Sequence, residues 1–257
     1  MTAAEQLVAF QTIVEREILR FARIWIQTVL PPMITTALYF IIFGQLIGSQ
    51  IGDIDGFRYM DFLVPGVILM TVIQNSYANV VSSVYGARFQ RHIEEMAIAP
   101  VPGYVILGGF VAGGLARGLT VGIAVLLVSL IFSPLGMAHP LVTIAIVVLT
   151  SVLFSLAGFI NGMFARNFDD ISIIPTFVLT PLTYLGGVFY SVSMLPPFWQ
   201  DVSLANPILY MVNAFRFGLI GTSDIDLGHS FLITGLFVAA LGAYSLHLLR
   251  TGRGIRS

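Results

Sequence analysis

Six stretches of this chain run for about twenty residues or more with almost no charge in them, and that feature restricts the fold more than any motif does. They cover approximately Ile24 to Gly48, Tyr59 to Tyr85, Tyr104 to Phe132, Pro140 to Phe164, Ile171 to Tyr190 and Gly228 to Leu249. At about 1.5 Å per residue each is long enough, as an α-helix, to cross about 30 Å of hydrocarbon. A soluble domain usually carries about 25% charged residues, whereas this chain has 10%, with a mean hydropathy of +0.92. Once six spans are taken from 257 residues, no sizeable soluble domain can be fitted in. The expected fold is all-α and integral to the membrane, with residues 1–257 forming one domain.

The joining stretches Ser49 to Arg58, Arg88 to Pro102, Ser133 to His139 and Arg166 to Asp170 concentrate Gly, Pro and charge. Residues 1–22 place Glu5, Gln11, Glu15, Arg16 and Arg20 opposite Leu7, Phe10, Val14, Ile18 and Phe21. That spacing predicts an amphipathic helix, either lying in the membrane interface or packed on a partner. Glu5 sits where a secretory signal would carry its basic segment, so a signal peptide is not expected. A seventh apolar stretch, 191–221, is interrupted by Pro196, Pro197, Asp201, Asn206, Pro207 and Arg216. Broken backbone at membrane depth needs protein or water to satisfy it, which predicts a re-entrant helical hairpin between spans five and six.

All 12 basic residues are Arg. With both termini cytoplasmic, the inner segments hold Arg16, Arg20, Arg23, Arg88, Arg91, Arg166, Arg250, Arg253 and Arg256, and the outer ones hold Arg58 and Arg216. A seventh crossing would move the basic tail to the wrong face, so six spans are expected.

The absence of Lys excludes a P-loop, which needs that side chain to reach the β- and γ-phosphates. His92, His139, His229 and His247 are scattered, there is no Cys, and no Gly-x-Ser-x-Gly elbow occurs, so metal and hydrolase chemistry have no residues to use. Ion-driven carriers place carboxylates inside their helices, but here only Asp61 lies near the end of a span. Transport energised by a separate ATPase is therefore expected, the alternatives being a self-contained carrier or channel, or a membrane assembly factor that transports nothing. No nucleic-acid partner is expected.

Arg117 lies roughly 20 Å along the third span. It faces an anionic headgroup or a polar part of a substrate, or pairs with Gln74, Asn75 or Asn79, or lies near the inner headgroups because the span projects into the cytosol. Gly109, Gly113, Gly114, Gly118 and Gly122 on the same span suit close helix packing. Pro175, Pro181, Gly186 and Gly187 predict a kinked fifth span. Phe177, Pro181, Tyr184, Phe189 and Tyr190, with Arg117, Asn75 and Asn79, form the candidate translocation path or gate.

The segment RFQRHIEEMAIAPVP, Arg88 to Pro102, resembles the coupling helix between spans two and three of type 2 ABC transporter permeases. FYSVSMLPPFWQDVSLANPILYMVNAFRFG, Phe189 to Gly218, resembles the Leu-Pro-Pro and Asn-Pro-hydrophobic-Tyr stretch before the last span of that family. In matching order and topological place, the two extend the resemblance over essentially the whole chain. It implies a bacterial inner-membrane exporter permease, a homodimer docked on two ATPase subunits that hold the ATP and Mg, moving an amphipathic, lipid-like, glycan-linked or drug-like substrate. This chain itself would hold no cofactor. The ATPase contact would use Arg88, Phe89, Arg91, His92, Ile93, Glu94, Glu95 and Met96, with a smaller one at Asp169 and Asp170.

Overall fold

The computed structural model describes residues 1–54, 56–90, 92, 101–134 and 136–252. Helix α1, Ala3–Ala22, opens with a reciprocal cap in which the Thr2 hydroxyl accepts from the Glu5 N–H and the Glu5 carboxylate accepts from the Thr2 N–H. Helix α2 covers Trp25–Ile51 and widens into a π-helix over Phe40–Ile47. A small antiparallel pair follows, β1 Asp53–Ile54 and β2 Phe57–Arg58, an element that an all-α reading leaves out. The long helices α3, Tyr59–Phe89, α4, Gly103–Phe132, and α5, Pro140–Phe164, come next. A shorter helix α6 occupies 170–184, then α7 Pro197–Leu204, α8 Pro207–Ile220 and α9 Leu227–Thr251.

Among the described residues, α2, α3, α4, α5 and α9 are long and apolar enough to cross a membrane. The fifth apolar run, expected to continue to Tyr190, is helical only to Tyr184, because Gly187 turns the chain with a φ of +71°. At roughly 1.5 Å per residue α6 is about 22 Å long, less than the other five. Residues 191–221 fold as a 3-10 turn followed by α7 and α8, which meet at Asn206-Pro207.

Helix α3 is the axis of the bundle. Of its most apolar window 83% is buried, against 17% for α2 and for α9. Its main neighbours are α5 and α4, and glycine brings them close. A Cβ on Gly158 of α5 would lie 2.6 Å from the Tyr77 carbonyl oxygen, and one on Gly118 of α4 would overlap the Ser76 hydroxyl. Asn161 of α5 also donates to the Tyr77 hydroxyl at 2.7 Å in the same interior.

The bundle has two ends. At the hairpin end, Arg58 and Ser133 both donate to Asp61, joining the start of α3 to the end of α4. At the arginine-rich end, α1 runs beside the first half of α4: Tyr104 donates to Gln6 at 2.6 Å, and Phe10, Ile13 and Glu17 lie over Gly108, Gly109 and Gly113. The inward stripe of α1 is thus Phe10, Ile13, Glu17 and Phe21, whereas Leu7 and Ile18 of the expected stripe are exposed. Glu17 is completely buried; it accepts from Ser83 at 2.6 Å and pairs with Arg20 at 3.1 Å.

Gly118→Val should lower the thermal unfolding midpoint in detergent, at an overpacking cost of about 1–3 kcal/mol. Gly235→Ala, where an added Cβ meets nothing within 4 Å, should leave it unchanged or raise it slightly. Glu17→Ala removes the acceptor of Ser83 and Arg20 and should cost about 2–4 kcal/mol by the same assay.

Candidate translocation face and docking end

Proline shapes α6. Pro175 and Pro181 cannot donate backbone N–H groups, and the helix passes through a π-turn over Pro175–Leu179 before resuming at Thr180. The Thr180 hydroxyl donates to the Pro175 carbonyl at 2.9 Å and the Thr183 hydroxyl to Leu179 at 2.7 Å, satisfying carbonyls at the distortion. Phe177, Pro181 and Tyr184 are all exposed and lie at spacings of four and three, so they form one stripe along the helix.

At the top of that stripe the ring of Tyr184 stacks on Phe189 at 5.4 Å, and Phe43 and Tyr39 of α2 lie 5.2 and 5.9 Å from the same phenylalanine. The Tyr39 and Tyr184 hydroxyls are 3.3 Å apart, and the Tyr59 hydroxyl donates to the Phe189 carbonyl at 2.9 Å. Of the expected gate residues, the structure brings Tyr184 and Phe189 together; Phe177 and Pro181 share the face lower down, and Tyr190 is half-buried beyond the turn. Tyr39 and Phe43 were not read from the sequence. Each looks like an ordinary aromatic residue of a lipid-facing span. Both π-helical segments, Phe40–Ile47 and Pro175–Leu179, adjoin this cluster in the chain, and such segments are frequent at functional sites.

Asn75, Asn79 and Arg117 do not come together as a pathway. Asn75 donates to Thr71 of its own helix at 3.0 Å. Asn79 is taken by Arg20, which donates to its side-chain and main-chain oxygens at 2.9 and 2.8 Å. Among the described residues Arg117 makes no hydrogen bond to Gln74, Asn75 or Asn79, and its Nε is buried without a partner. Sequence reasoning missed Glu17, although a carboxylate four residues after Ile13 and four before Phe21 falls on the buried stripe of α1. Nor did it show that Arg216, counted among the outer charges, would be buried. Arg216 is in fact 1% exposed, with its guanidinium 3.7 Å from the Phe62 ring centroid and donating to the Gly187 carbonyl.

At the arginine-rich end, Arg88 and Phe89 close the last turn of α3 instead of opening a separate helix. Arg88 donates to the Met163 and Ala165 carbonyls at 2.8 and 2.7 Å and thereby caps α5. Tyr85 lies 4.9 Å from Phe168 edge-on and 6.1 Å from Phe89. Asp169 is exposed, while Asp170 accepts from the Arg166 N–H at 2.7 Å and folds the turn that starts α6. His92 is exposed. Arg91, Ile93, Glu94, Glu95 and Met96, the centre of the expected coupling helix, lie outside the described residues. No cluster of three metal-ligating side chains occurs among the described residues.

Beyond its own geometry, the chain is similar to known proteins. It is 58% identical to the inner membrane transport permease YadH of Escherichia coli (strain K12), over 97% of this chain and 98% of that one. It is 23% identical to nodulation protein J of Rhizobium meliloti (strain 1021), over 90% and 86% of the two chains. Similarity to nodulation protein J of Sinorhizobium fredii (strain NBRC 101917 / NGR234) is 25% over 70% of this chain and 69% of that relative. The family model described as ABC-2 type transporter matches residues 8–220, from the middle of α1 to the last residue of α8. The chain therefore belongs to the ABC-2 type transporter family.

Proposed function

We propose that the chain is the permease subunit of an ATP-driven exporter of the bacterial inner membrane, a homodimer paired with separate ATPase subunits. The observation that carries this reading is the ABC-2 family match over nearly the whole bundle in a sequence that has no Lys for a P-loop. An ABC ATPase on another chain then supplies ATP and Mg. The likeness to an inner membrane transport permease supports the location and the role.

The six-span topology, with both termini cytoplasmic, takes α2, α3, α4, α5, α6 and α9 as crossings and α7 and α8 as the re-entrant hairpin. Helices of 31 and 30 residues, α3 and α4, are about 45 Å long and exceed the hydrocarbon by about 15 Å. At the hairpin end Ile131 and Leu141 are 81% and 84% exposed, which suits lipid, so the excess belongs at the arginine-rich, cytoplasmic end. Counting about 30 Å back from Phe132 puts the boundary near residue 112. Arg117 then lies about 8 Å inside it, and because helical side chains lean toward the N-terminus, its guanidinium leans toward the headgroups. That favours the projecting-span reading of Arg117 over a role deep in the translocation path.

The homodimer buries the outward face of α2 and α6, and the substrate passes along it. Phe177 is 74% exposed there, Tyr184 stands above it, and Ile34, Leu38 and Ile41 of α2 are exposed as well. An apolar, aromatic-topped path fits an amphipathic or lipid-like cargo and does not suit a small, highly charged one. Force enters at the docking end. Asp169 and Asp170 start α6, and the coupling segment beyond Phe89 leaves α3; Arg88 and the Tyr85–Phe168 contact join the two. Movement of the docked ATPase tilts α6 about its π-turn and parts the aromatic cluster.

Purification of the native complex from membranes should bring down an ABC ATPase, and reconstituted vesicles should move cargo only with ATP. Movement on an ion gradient by this chain alone would overturn the reading. Glu94→Ala with Glu95→Ala should leave insertion intact while reducing ATPase association or uncoupling hydrolysis from transport. The chain has no Cys, so Phe177→Cys should give a disulfide-linked dimer on mild oxidation of membranes, whereas Leu141→Cys, in the first turn of α5 and outside the proposed dimer face, should stay monomeric on denaturing gels.

A further inference from the structure

A cavity of about 630 Å³ opens between α1 and α3 at the arginine-rich end. Arg16, Arg20, Arg23 and His92 line it together with Ser82 and Ser83, and among the described residues no Asp or Glu does. Among the described residues the carboxylate set against this lining is Glu17, which stands behind the wall and accepts from Ser83. It is 3.1 Å from Arg20 and 3.6 Å from Arg16, so one negative charge is set against two guanidinium groups. The Arg23 side chain has neither an ion pair nor a hydrogen bond among the described residues, and Arg117 lies close enough to Arg20 for the two charges to repel. The Nε of Arg20 is buried without a partner. Like charges gathered around an open cavity repel one another unless an anion joins them.

We propose that this cavity holds the phosphate of an anionic phospholipid, bound as a resident lipid at the joint between α1 and α2. The rest of the lining selects a lipid over a soluble ion. Leu19 and Ile24 form its apolar side, and directly after Ile24 the surface continues as the exposed apolar side chains of Trp25, Ile26 and Leu30 on α2, ahead of the stretch assigned to the dimer face. A headgroup seated on the arginines therefore finds a hydrocarbon-compatible track for its acyl chains. A phosphate gathers charge-assisted hydrogen bonds from several guanidinium groups at once, and basic pockets beside membrane helices suit such headgroups. The lipid would fasten the end of α1 to α3 through Arg20, which also holds Ser82 and Asn79. This site is separate from the transport reading and stands whatever cargo the protein carries.

Trp25 adjoins the cavity, and Trp199 lies on α7 at the other end of the bundle, so Trp199→Phe leaves Trp25 as the only indole. The full-length W199F protein would be placed in phosphatidylcholine nanodiscs doped with brominated phosphatidylglycerol or, separately, with brominated phosphatidylcholine. Quenching of Trp25 by the brominated phosphatidylglycerol should be severalfold greater at equal mole fraction. The preference should vanish in W199F carrying R16Q and R23Q, two substitutions at exposed positions, and persist in W199F carrying R58Q. Raising NaCl to about 1 M, where screening acts within about 3 Å, should remove it from the W199F protein without those substitutions. Inorganic phosphate at 10 mM should leave it unchanged. Equal quenching by the two lipids, or a preference untouched by R16Q/R23Q and by salt, would overturn the proposal. Displacement by inorganic phosphate would assign the cavity to a soluble anion and overturn the lipid assignment.

Discussion

Close backbone contact around α3 is the constraint on which the rest of this structure depends. In lipid, burial of apolar surface between helices gains little, because acyl chains are as apolar as the side chains they would replace. Helices are held by dispersion at short range and by hydrogen bonds. The bundle achieves that range with glycine: Gly114 and Gly118 of α4 and Gly158 and Gly162 of α5 each sit where a Cβ would strike α3 or its neighbours. The same close approach leaves Ser76, Ser151 and Ser155 buried between the helices.

A rigid axis with two peripheral helices is a mechanical arrangement. Helix α2 and helix α6 have little buried surface, and each contains a π-helical stretch close in the chain to the aromatic cluster they share. A π-turn loses regular i to i−4 hydrogen bonds and so is a place where a helix changes direction at low cost. By contrast α3 carries Pro65 in its buried first half and stays α-helical throughout, because tight neighbours surround it. Flexibility therefore follows from where packing is thin and not from proline alone.

The sequence made the long helices legible because hydrocarbon thickness fixes their length and composition. Pro140–Phe164 coincides with its apolar run to the residue, and Tyr59, Phe132 and Phe164 end their helices where expected. The fifth run misled at its end. Gly186-Gly187 reads as a kink within an apolar stretch, but the positive φ of Gly187 turns the chain, and the Gly187 carbonyl is used by Arg216. The glycine pattern of α4 was legible as packing, but not its partners: Gly109 and Gly113 receive α1, whereas Gly114 and Gly118 receive α5 and α3. For α1, periodicity alone put Leu7 and Ile18 on the inner stripe and passed over Glu17, since no hydropathy rule asks for a carboxylate on a buried face. Arg20, one turn along the same helix, and Ser83, arriving from α3, make that position tenable.

Glu17 also explains why the polar residues near Arg117 pair as they do. Arg20 is anchored by Glu17 and so is presented to α3, where it takes both oxygens of Asn79. Arg117, one turn beyond Gly113 and Glu17, finds those acceptors already engaged and is left beside a second cation. Two guanidinium groups so placed would be costly in the centre of a bilayer. They are tolerable where the helices emerge from it, within reach of water and anionic headgroups. The burial of one carboxylate on α1, set against Arg16 and Arg20, thus shapes the charge of the cavity beside it.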